Sequence, residues 1–192
     1  MTKLALRPML LEDVQQMENW RLHEDPWFYH YNFDCQNIVE RENWLHNKRV
    51  FLTRDIFGLF LDERMIGFIS IKNYNWITRT AEMGISLDLN YVDSGYGSEG
   101  LKLYLAYVFK HTFFTTIVLR VVAFNERAKR AYEKVGFKVT KKTYLPYEEQ
   151  RFATAIIEKY PDADVIEDEI YAYYYFMAIS KKECSGKQRI LA

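Results

Sequence analysis

The sequence lacks the features that mark a secreted, metal-bound or membrane-spanning protein. It has only two cysteines, Cys35 and Cys184, which lie far apart and match no metal-ligand spacing, so we interpret them as free thiols in a reducing compartment. No apolar run approaches the roughly 20 residues of a membrane span. The first residues also lack the apolar core of a signal peptide. We therefore expect a cytoplasmic protein.

An excess of charge is missing as well. The 26 basic and 26 acidic residues balance, which excludes the basic footprint typical of a nucleic-acid-binding chain. The four histidines form no metal spacing, and no pattern places one beside a cysteine, so we expect neither a metal site nor a thiol nucleophile. What the chain does have is 17% aromatic residues, which indicates either a flat or flexible ligand or simply an aromatic core.

The order of the predicted elements indicates one α+β domain over residues 1–192. The predicted helices span residues 11–20, 40–48, 98–114, 125–135 and 147–159, and the predicted strands span 4–8, 56–61, 65–71, 80–87, 116–123, 137–145 and 170–179. Residues 26–33 are predicted to form an aromatic loop and residues 161–169 an acidic loop. After Ser180 we expect a polar, frayed tail.

A glycine-rich turn opens the third predicted helix, with the sequence Asp93-Ser94-Gly95-Tyr96-Gly97-Ser98-Glu99-Gly100. The first N–H groups of a helix attract anions, and glycines let a phosphate approach them closely. The turn also satisfies the dinucleotide-binding pattern Gly-x-Gly-x-x-Gly, but seven residues separate it from a strand that belongs to a meander. A helix start with ordinary turn glycines is the alternative interpretation.

The fourth predicted helix carries Asn125, Ala128 and Tyr132 along one face. Asn125 can cap the helix and contact a ligand, while the small Ala128 lets a ligand chain approach the backbone. The Tyr132 hydroxyl lies roughly 10 Å further along the axis, where a phenol could protonate a leaving group. Taken alone, Tyr132 is better explained as a packed aromatic ring, one of 15 tyrosines in the chain.

Together these stretches resemble the GNAT superfamily of N-acetyltransferases. The superfamily's pattern Asn-x-x-Ala-x-x-x-Tyr-x-x-x-Gly-Phe is matched in full by Asn125, Ala128, Tyr132, Gly136 and Phe137. Its cofactor turn, roughly Gln/Arg-x-x-Gly-x-Gly/Ala, is matched by Gly95 and Gly97 but has Val92 and Asp93-Ser94 where many relatives carry Gln or Arg and then Gly-Lys. The branch with ribosomal-protein alanine and spermidine acetyltransferases is further resembled by the opening Leu6-Arg7-Pro8-Met9…Asp13…Trp20-Arg21 and by Ala81-Glu82-Met83-Gly84. The resemblance as a whole covers residues 4 to about 145.

The resemblance implies a GNAT fold, in which a mixed, mostly antiparallel sheet of about six to seven strands is flanked by helices. It implies acetyl-CoA as donor, a primary amine as acceptor and direct transfer in a ternary complex. The pantetheine arm would pair with the strand at Ile85, Ser86 and Leu87, and Tyr132 would protonate the departing thiolate. The remaining implied cofactor contacts are Gly95, Tyr96, Gly97, Ser98, Glu99 and Gly100 at the pyrophosphate and Asn125 and Ala128 along the arm.

The general base and the acceptor are less constrained. Glu82 is the candidate base, acting through water, although a charge pair with Arg79 or Lys72 explains it equally well. Six acids within residues 158–169, with the aromatic loop, suggest an entrance that attracts polyamines, aminoglycosides or basic peptide N-termini. A solvated acidic loop is the alternative. We expect a small-molecule or peptide amine as partner, and neither nucleic acid nor membrane; the Tyr-rich strand at 171–176 could pack at a homodimer interface or in the core.

Two other functions compete with the transferase. One is a non-catalytic acyl-CoA-binding or sensing module on the same fold, which Val92 and Asp93 favour slightly and Tyr132 opposes. The other is a dinucleotide-binding oxidoreductase, which the order of elements opposes.

Overall fold

The computed structural model describes residues 3–35, 37–49 and 55–188. Its strands are β1 (Leu4–Pro8), β2 (Asp55–Leu61), β3 (Arg64–Asn75), β4 (Thr80–Leu87), β5 (Thr116–Val122), β6 (Lys138–Pro146), β7 (Val165–Ile166) and β8 (Glu169–Ser180). Its α-helices are α1 (Leu11–Gln16), α2 (Ile38–Arg49), α3 (Tyr96–His111), α4 (Glu126–Val135), α5 (Ala153–Lys159) and α6 (Lys181–Gln188). No helix of the described residues is long and apolar enough to cross a membrane.

Seven strands form one twisted sheet in the order β1-β2-β3-β4-β5-β8-β6, and the two-residue β7 pairs with β8 beside it. Every neighbouring pair is antiparallel except β4 and β5, which run parallel. The prediction of a mixed, mostly antiparallel sheet flanked by helices is therefore confirmed. The dinucleotide-binding alternative would need a parallel βαβ unit around the glycine turn near the start of the domain, whereas the strand before the turn here closes an antiparallel meander.

The main core lies between one face of the sheet and helices α3 and α4. Alternation along β5 buries Ile117, Leu119 and Val121 on this face. Helix α3 contributes Leu105, which is fully buried. At Gly100 an added Cβ would meet Leu59 side-chain atoms 2.7 Å away, so this glycine sets how closely α3 lies against β2.

Strands β4 and β5 separate part-way along their length, and this separation positions the site. They pair only from Thr80 opposite Thr116 to Glu82 opposite Val118. Beyond Glu82, β4 continues to Leu87 with β3 as its strand partner, while β5 continues beside β8. The backbone groups of β4 that face the gap are therefore available to a ligand that pairs like a strand.

Several predicted elements differ from the structure. The acidic loop at residues 161–169 contains β7, and the helix predicted over residues 11–20 is α-helical only over Leu11–Gln16. The aromatic loop is a 3₁₀ helix, Pro26–Tyr31, because the Asp25 carboxylate accepts the Trp27 N–H and proline occupies its first position. The segment predicted as a helix from residue 147 becomes α-helical only at Ala153.

The predicted frayed tail contains a helix instead. The Glu183 carboxylate accepts hydrogen bonds from the Ser180 N–H (2.9 Å) and Oγ (2.8 Å), and Ser180 Oγ accepts the Glu183 N–H (3.4 Å). This capping box, visible in the sequence as Ser-x-x-Glu, starts α6. Residues 189–192 lie outside the described part of the chain.

Candidate active site

Two cavities adjoin the free end of β4. The first cavity, of about 310 Å³, is lined by Ile85, Ser86 and Leu87 of β4, by Val92, Asp93, Gly95, Gly97, Ser98 and Leu101 around the start of α3, by Asn125, Arg127, Ala128, Arg130, Ala131, Tyr132 and Lys134 of α4 and its cap, and by His23, Phe28 and Tyr31. The second cavity, of about 450 Å³, is lined by Met17, His30, Tyr31, Asn32, Phe33, Trp44, Lys48, Phe68, Ser70, Ile71, Lys72, Glu82, Met83, Gly84, Ile85, Ser86, Arg120, Tyr132, Glu148 and Glu149. Four residues line both: Tyr31, Ile85, Ser86 and Tyr132.

The start of α3 offers unpaired N–H groups to the first cavity. Gly95 caps the helix in the left-handed conformation, with φ at 87°, and its carbonyl accepts the Glu99 N–H. The helix N–H groups left without an intrahelical acceptor are therefore those of Tyr96, Gly97 and Ser98. An added Cβ on Gly97 would come within 3.1 Å of Leu87, so glycine keeps the cradle open there. These amides suit an anion.

Three of the predicted contacts at this turn lie elsewhere. The Tyr96 side chain packs toward Tyr91, with ring centroids 6.1 Å apart. Glu99 is exposed on α3, and Gly100 is buried against β2. None of the three lines the first cavity, although the Tyr96 N–H remains one of the unpaired amides.

Helix α4 and its cap supply both uncharged and positively charged side chains to the first cavity. Asn125 caps the helix by accepting the Ala128 N–H at 3.1 Å, and both residues line the cavity as predicted. Arg127, Arg130 and Lys134 line it too, and all three are exposed. The sequence interpretation missed these cations, although their spacing of three and four residues places them on one helix face.

Tyr132 lies where the two cavities meet. Its ring packs edge-on to Phe137, with centroids 5.9 Å apart, and 9% of the residue is exposed. Its hydroxyl makes no hydrogen bond to any group of the described residues. Burial raises the pKa of the Tyr132 phenol, and the nearby Tyr31 adds to the shift, so the hydroxyl is protonated at neutral pH.

Tyr31 is the second phenol at this junction, and it belongs to the segment at residues 26–33 that was predicted as an aromatic loop. It ends the 3₁₀ helix Pro26–Tyr31 and keeps 37% of its surface exposed. Burial of its hydroxyl, with a contribution from Glu148, raises its pKa to about 12, while Arg127 acts in the opposite direction.

Glu82 lines the second cavity within a network of polar partners. Its carboxylate accepts hydrogen bonds from Asn73 Nδ2 (2.7 Å) and Arg120 Nε (3.2 Å), and Lys72 Nζ lies 3.8 Å away. Burial acts to raise the pKa of this carboxyl, but the hydrogen bond from Asn73 and the charges of Lys72 and Arg120 outweigh it and lower the pKa. The expected pairing with Lys72 is present, and Arg120 takes the place foreseen for Arg79.

The predicted acidic entrance is not formed at these cavities. None of the six acids between Glu158 and Glu169 lines either of them. The aromatic segment does contribute, with Phe28 and Tyr31 in the first cavity and Tyr31 and Phe33 in the second. Its position is fixed by Tyr147, whose hydroxyl donates to the Trp27 carbonyl.

The fold combines a helix that opens with glycines, α3, with two strands that separate, β4 and β5, and places Tyr132 near their separation. This combination is typical of the acetyltransferase class of fold. A family model described as an acetyltransferase (GNAT) domain matches residues 3–138, and the chain therefore belongs to the GNAT acetyltransferase family. Enzymes of this family use acetyl-CoA, so the chain is an acyltransferase with acetyl-CoA as donor.

Solved structures support the fold at low sequence identity. Spermidine N-acetyltransferase from Vibrio cholerae, in complex with CoA and spermine, is 20% identical, with a TM-score of 0.69 and coverage of 95% of this chain and 98% of that one. A chimera of the Vibrio cholerae enzyme and a human counterpart is 21% identical, with a TM-score of 0.68 and coverage of 96% and 99%. A probable acetyltransferase is 16% identical, with a TM-score of 0.69 and coverage of 94% of both chains. No curated protein sequence matched this chain significantly.

Proposed function

We propose that the protein acetylates a primary amine by direct transfer within a ternary complex of donor and acceptor. The observation that carries the proposal is the position of Tyr132, whose side chain lines both cavities at their junction. A donor in the first cavity and an acceptor in the second would meet at this phenol. The reacting atoms would then be held together without a covalent enzyme intermediate.

The first cavity offers groups that suit the pyrophosphate and the pantetheine arm of the donor. The amides of Tyr96, Gly97 and Ser98 would hold the pyrophosphate, and Arg127 and Arg130 would add the positive charge that Val92 does not supply. The unpaired edge of β4 from Ile85 to Leu87 would hydrogen-bond the pantetheine amides, and Asn125 and Ala128 would form the facing wall. When bound, acetyl-CoA supplies an acetyl group activated as a thioester.

Protonation states at the junction suit amine attack on that thioester. Glu82, acting through water, would accept the proton that an ammonium must lose before its nitrogen forms the new C–N bond. As the C–S bond breaks, Tyr132 would donate its proton to the departing thiolate. The second amine proton would then reprotonate the Tyr132 phenolate, and Glu82 would release its proton to solvent. The products are an N-acetylated amine and CoA with a free thiol.

The sequence suggested a polyamine, an aminoglycoside or a peptide N-terminus as acceptor, but the reaction itself requires only a primary amine. The structural neighbours named as spermidine acetyltransferases support an amine of some kind. At about 20% identity these neighbours show only the fold. The choice of acceptor therefore has to be argued from the residues that line the second cavity.

Release of free thiol from acetyl-CoA in the presence of an amine panel tests the proposal. Thiol release that depends on the amine, with mass spectrometry showing an acetylated product, is the expected result. A thermal shift with acetyl-CoA but no release with any amine would instead support a binding or sensing module. The Tyr132→Phe variant provides the control for enzyme-dependent release.

A further inference from the structure

The carboxylates of the second cavity are already paired with cations of the chain itself. Glu82 accepts from Arg120 and lies near Lys72. Glu148 lies 3.1 Å from Arg120 Nη1, and Glu149 lies 2.9 Å from Arg151 Nε. Among the described residues, these are the three carboxylates that line the cavity, and Lys48, Lys72 and Arg120 line it with them. The charge within the walls is therefore balanced, and a substrate cation would have to compete with built-in ion pairs.

Aromatic side chains also line the second cavity. Trp44 lies edge-on between Phe33 and Phe68, with ring centroids 5.6 Å and 5.5 Å away. The ammonium of Lys48 already lies 5.5 Å from the Trp44 ring centroid. The site for a cation over this ring is thus occupied by the chain, and a second cation there would meet like charge.

We propose that the acceptor is a primary amine whose reacting nitrogen is its only positive charge, carried on an apolar or aromatic body that packs against Phe33, Trp44 and Phe68. This assignment rests on the proposed amine transfer and narrows it. A single ammonium loses its charge when it reacts, whereas each further ammonium of a polyamine stays charged inside a balanced cavity. The aromatic wall favours the apolar body through burial of its surface.

A pair of amines of equal length tests the assignment. Heptylamine and hexamethylenediamine have the same number of heavy atoms and differ by one terminal ammonium. At neutral pH we expect kcat/KM for heptylamine to exceed that for hexamethylenediamine by about tenfold or more. Equal or faster turnover of the diamine would overturn the assignment and leave the proposed amine transfer intact.

Removing the charge of Lys48 should reduce the difference in kcat/KM between the two amines. In Lys48→Met the ratio of the two kcat/KM values should fall by about threefold or more, because the like charge near Trp44 is gone. Lys102→Met, on the exposed side of α3 and outside both cavities, should keep the wild-type ratio. If the ratio of kcat/KM for heptylamine to that for hexamethylenediamine were the same in Lys48→Met as in wild type, repulsion of the second ammonium by Lys48 would be contradicted.

A binding measurement tests the proposed acceptor preference independently of the transfer reaction. In the presence of CoA, calorimetry should show tighter binding of heptylamine than of hexamethylenediamine. Absence of thiol release with every amine of the panel would overturn the proposed transfer, whereas tighter binding of the diamine than of heptylamine would overturn the acceptor assignment alone.

Discussion

Glu82 and Arg120 face each other at the point where β4 and β5 separate, with Glu82 Oε1 3.2 Å from Arg120 Nε. Arg120, on β5, also pairs with Glu148, so one guanidinium links Glu82 of β4 with another carboxylate that lines the second cavity. Because Glu82 belongs to this ion network and is also the candidate base, its substitution has a structural and a catalytic consequence that can be measured separately.

Replacing Glu82 with glutamine should lower kcat by about a hundredfold, the usual order for loss of a general base. Stability should respond to pH in a defined direction. Because the folded state lowers the pKa of Glu82, its ionised carboxylate stabilises the fold at pH values above the unfolded-state pKa of about 4.3. This contribution is lost as the pH falls through the lower pKa of the folded state. The unfolding free energy of Glu82→Gln should thus be about 1 kcal/mol below wild type at neutral pH, a gap that closes in acid. A kcat within about twofold of wild type would leave Glu82 only its ion-pairing role.

Replacing Tyr132 with phenylalanine should lower kcat by about a hundredfold or more while leaving KM for acetyl-CoA nearly unchanged. Because its hydroxyl has no hydrogen-bond partner among the described groups, the unfolding free energy should change by less than about 0.5 kcal/mol. Tyr147→Phe is the matched control, since it removes a hydroxyl bound to the Trp27 carbonyl and should cost about 1 kcal/mol of stability. If both variants lost stability and activity in parallel, the acid role of Tyr132 would be untenable.

The local parts of this site were predictable because local signals specify them. Strand β4 was predicted with the bounds found, Thr80–Leu87, and α4 lies between its predicted cap, Asn125, and Gly136, which has φ at 125°. Gly100, in contrast, fits a ligand-binding pattern but packs against Leu59, a residue of β2 that is distant in sequence.

The residues that meet at the second cavity could not be predicted from local signals. Tyr31 and Tyr132 are about a hundred residues apart, and they meet only because the segment at Pro26–Tyr31 packs against Tyr147 and Phe124. Arg120 reaches Glu82 only because β5 lies parallel to β4. Charge density along the sequence is a poor guide to this site. The six acids of residues 158–169 are exposed and line neither cavity, whereas the acids that line the second cavity are Glu82, Glu148 and Glu149, from outside that segment.

Replacing Arg127 or Arg130 with glutamine should raise KM for acetyl-CoA by about five- to tenfold with little change in kcat. Each loss removes one charge-assisted contact to a phosphate, which is worth about 1.5–3 kcal/mol at most. Lys129→Gln is the control on the same helix, since Lys129 pairs with Glu133 and faces Tyr175 instead of the first cavity. An equal rise in KM in Lys129→Gln would show a general effect of helix charge.

Replacing Asp93 with asparagine should improve donor binding. Asp93 lines the first cavity in the left-handed conformation, with φ at 61°, and asparagine tolerates this conformation as well as aspartate does. Loss of a carboxylate near the pyrophosphate should lower KM for acetyl-CoA by about threefold without a change in unfolding free energy. Asp62→Asn, in the left-handed turn between β2 and β3 with φ at 56°, should change neither quantity. A higher KM in Asp93→Asn would mean that the carboxylate points away from the phosphates and instead supports the turn.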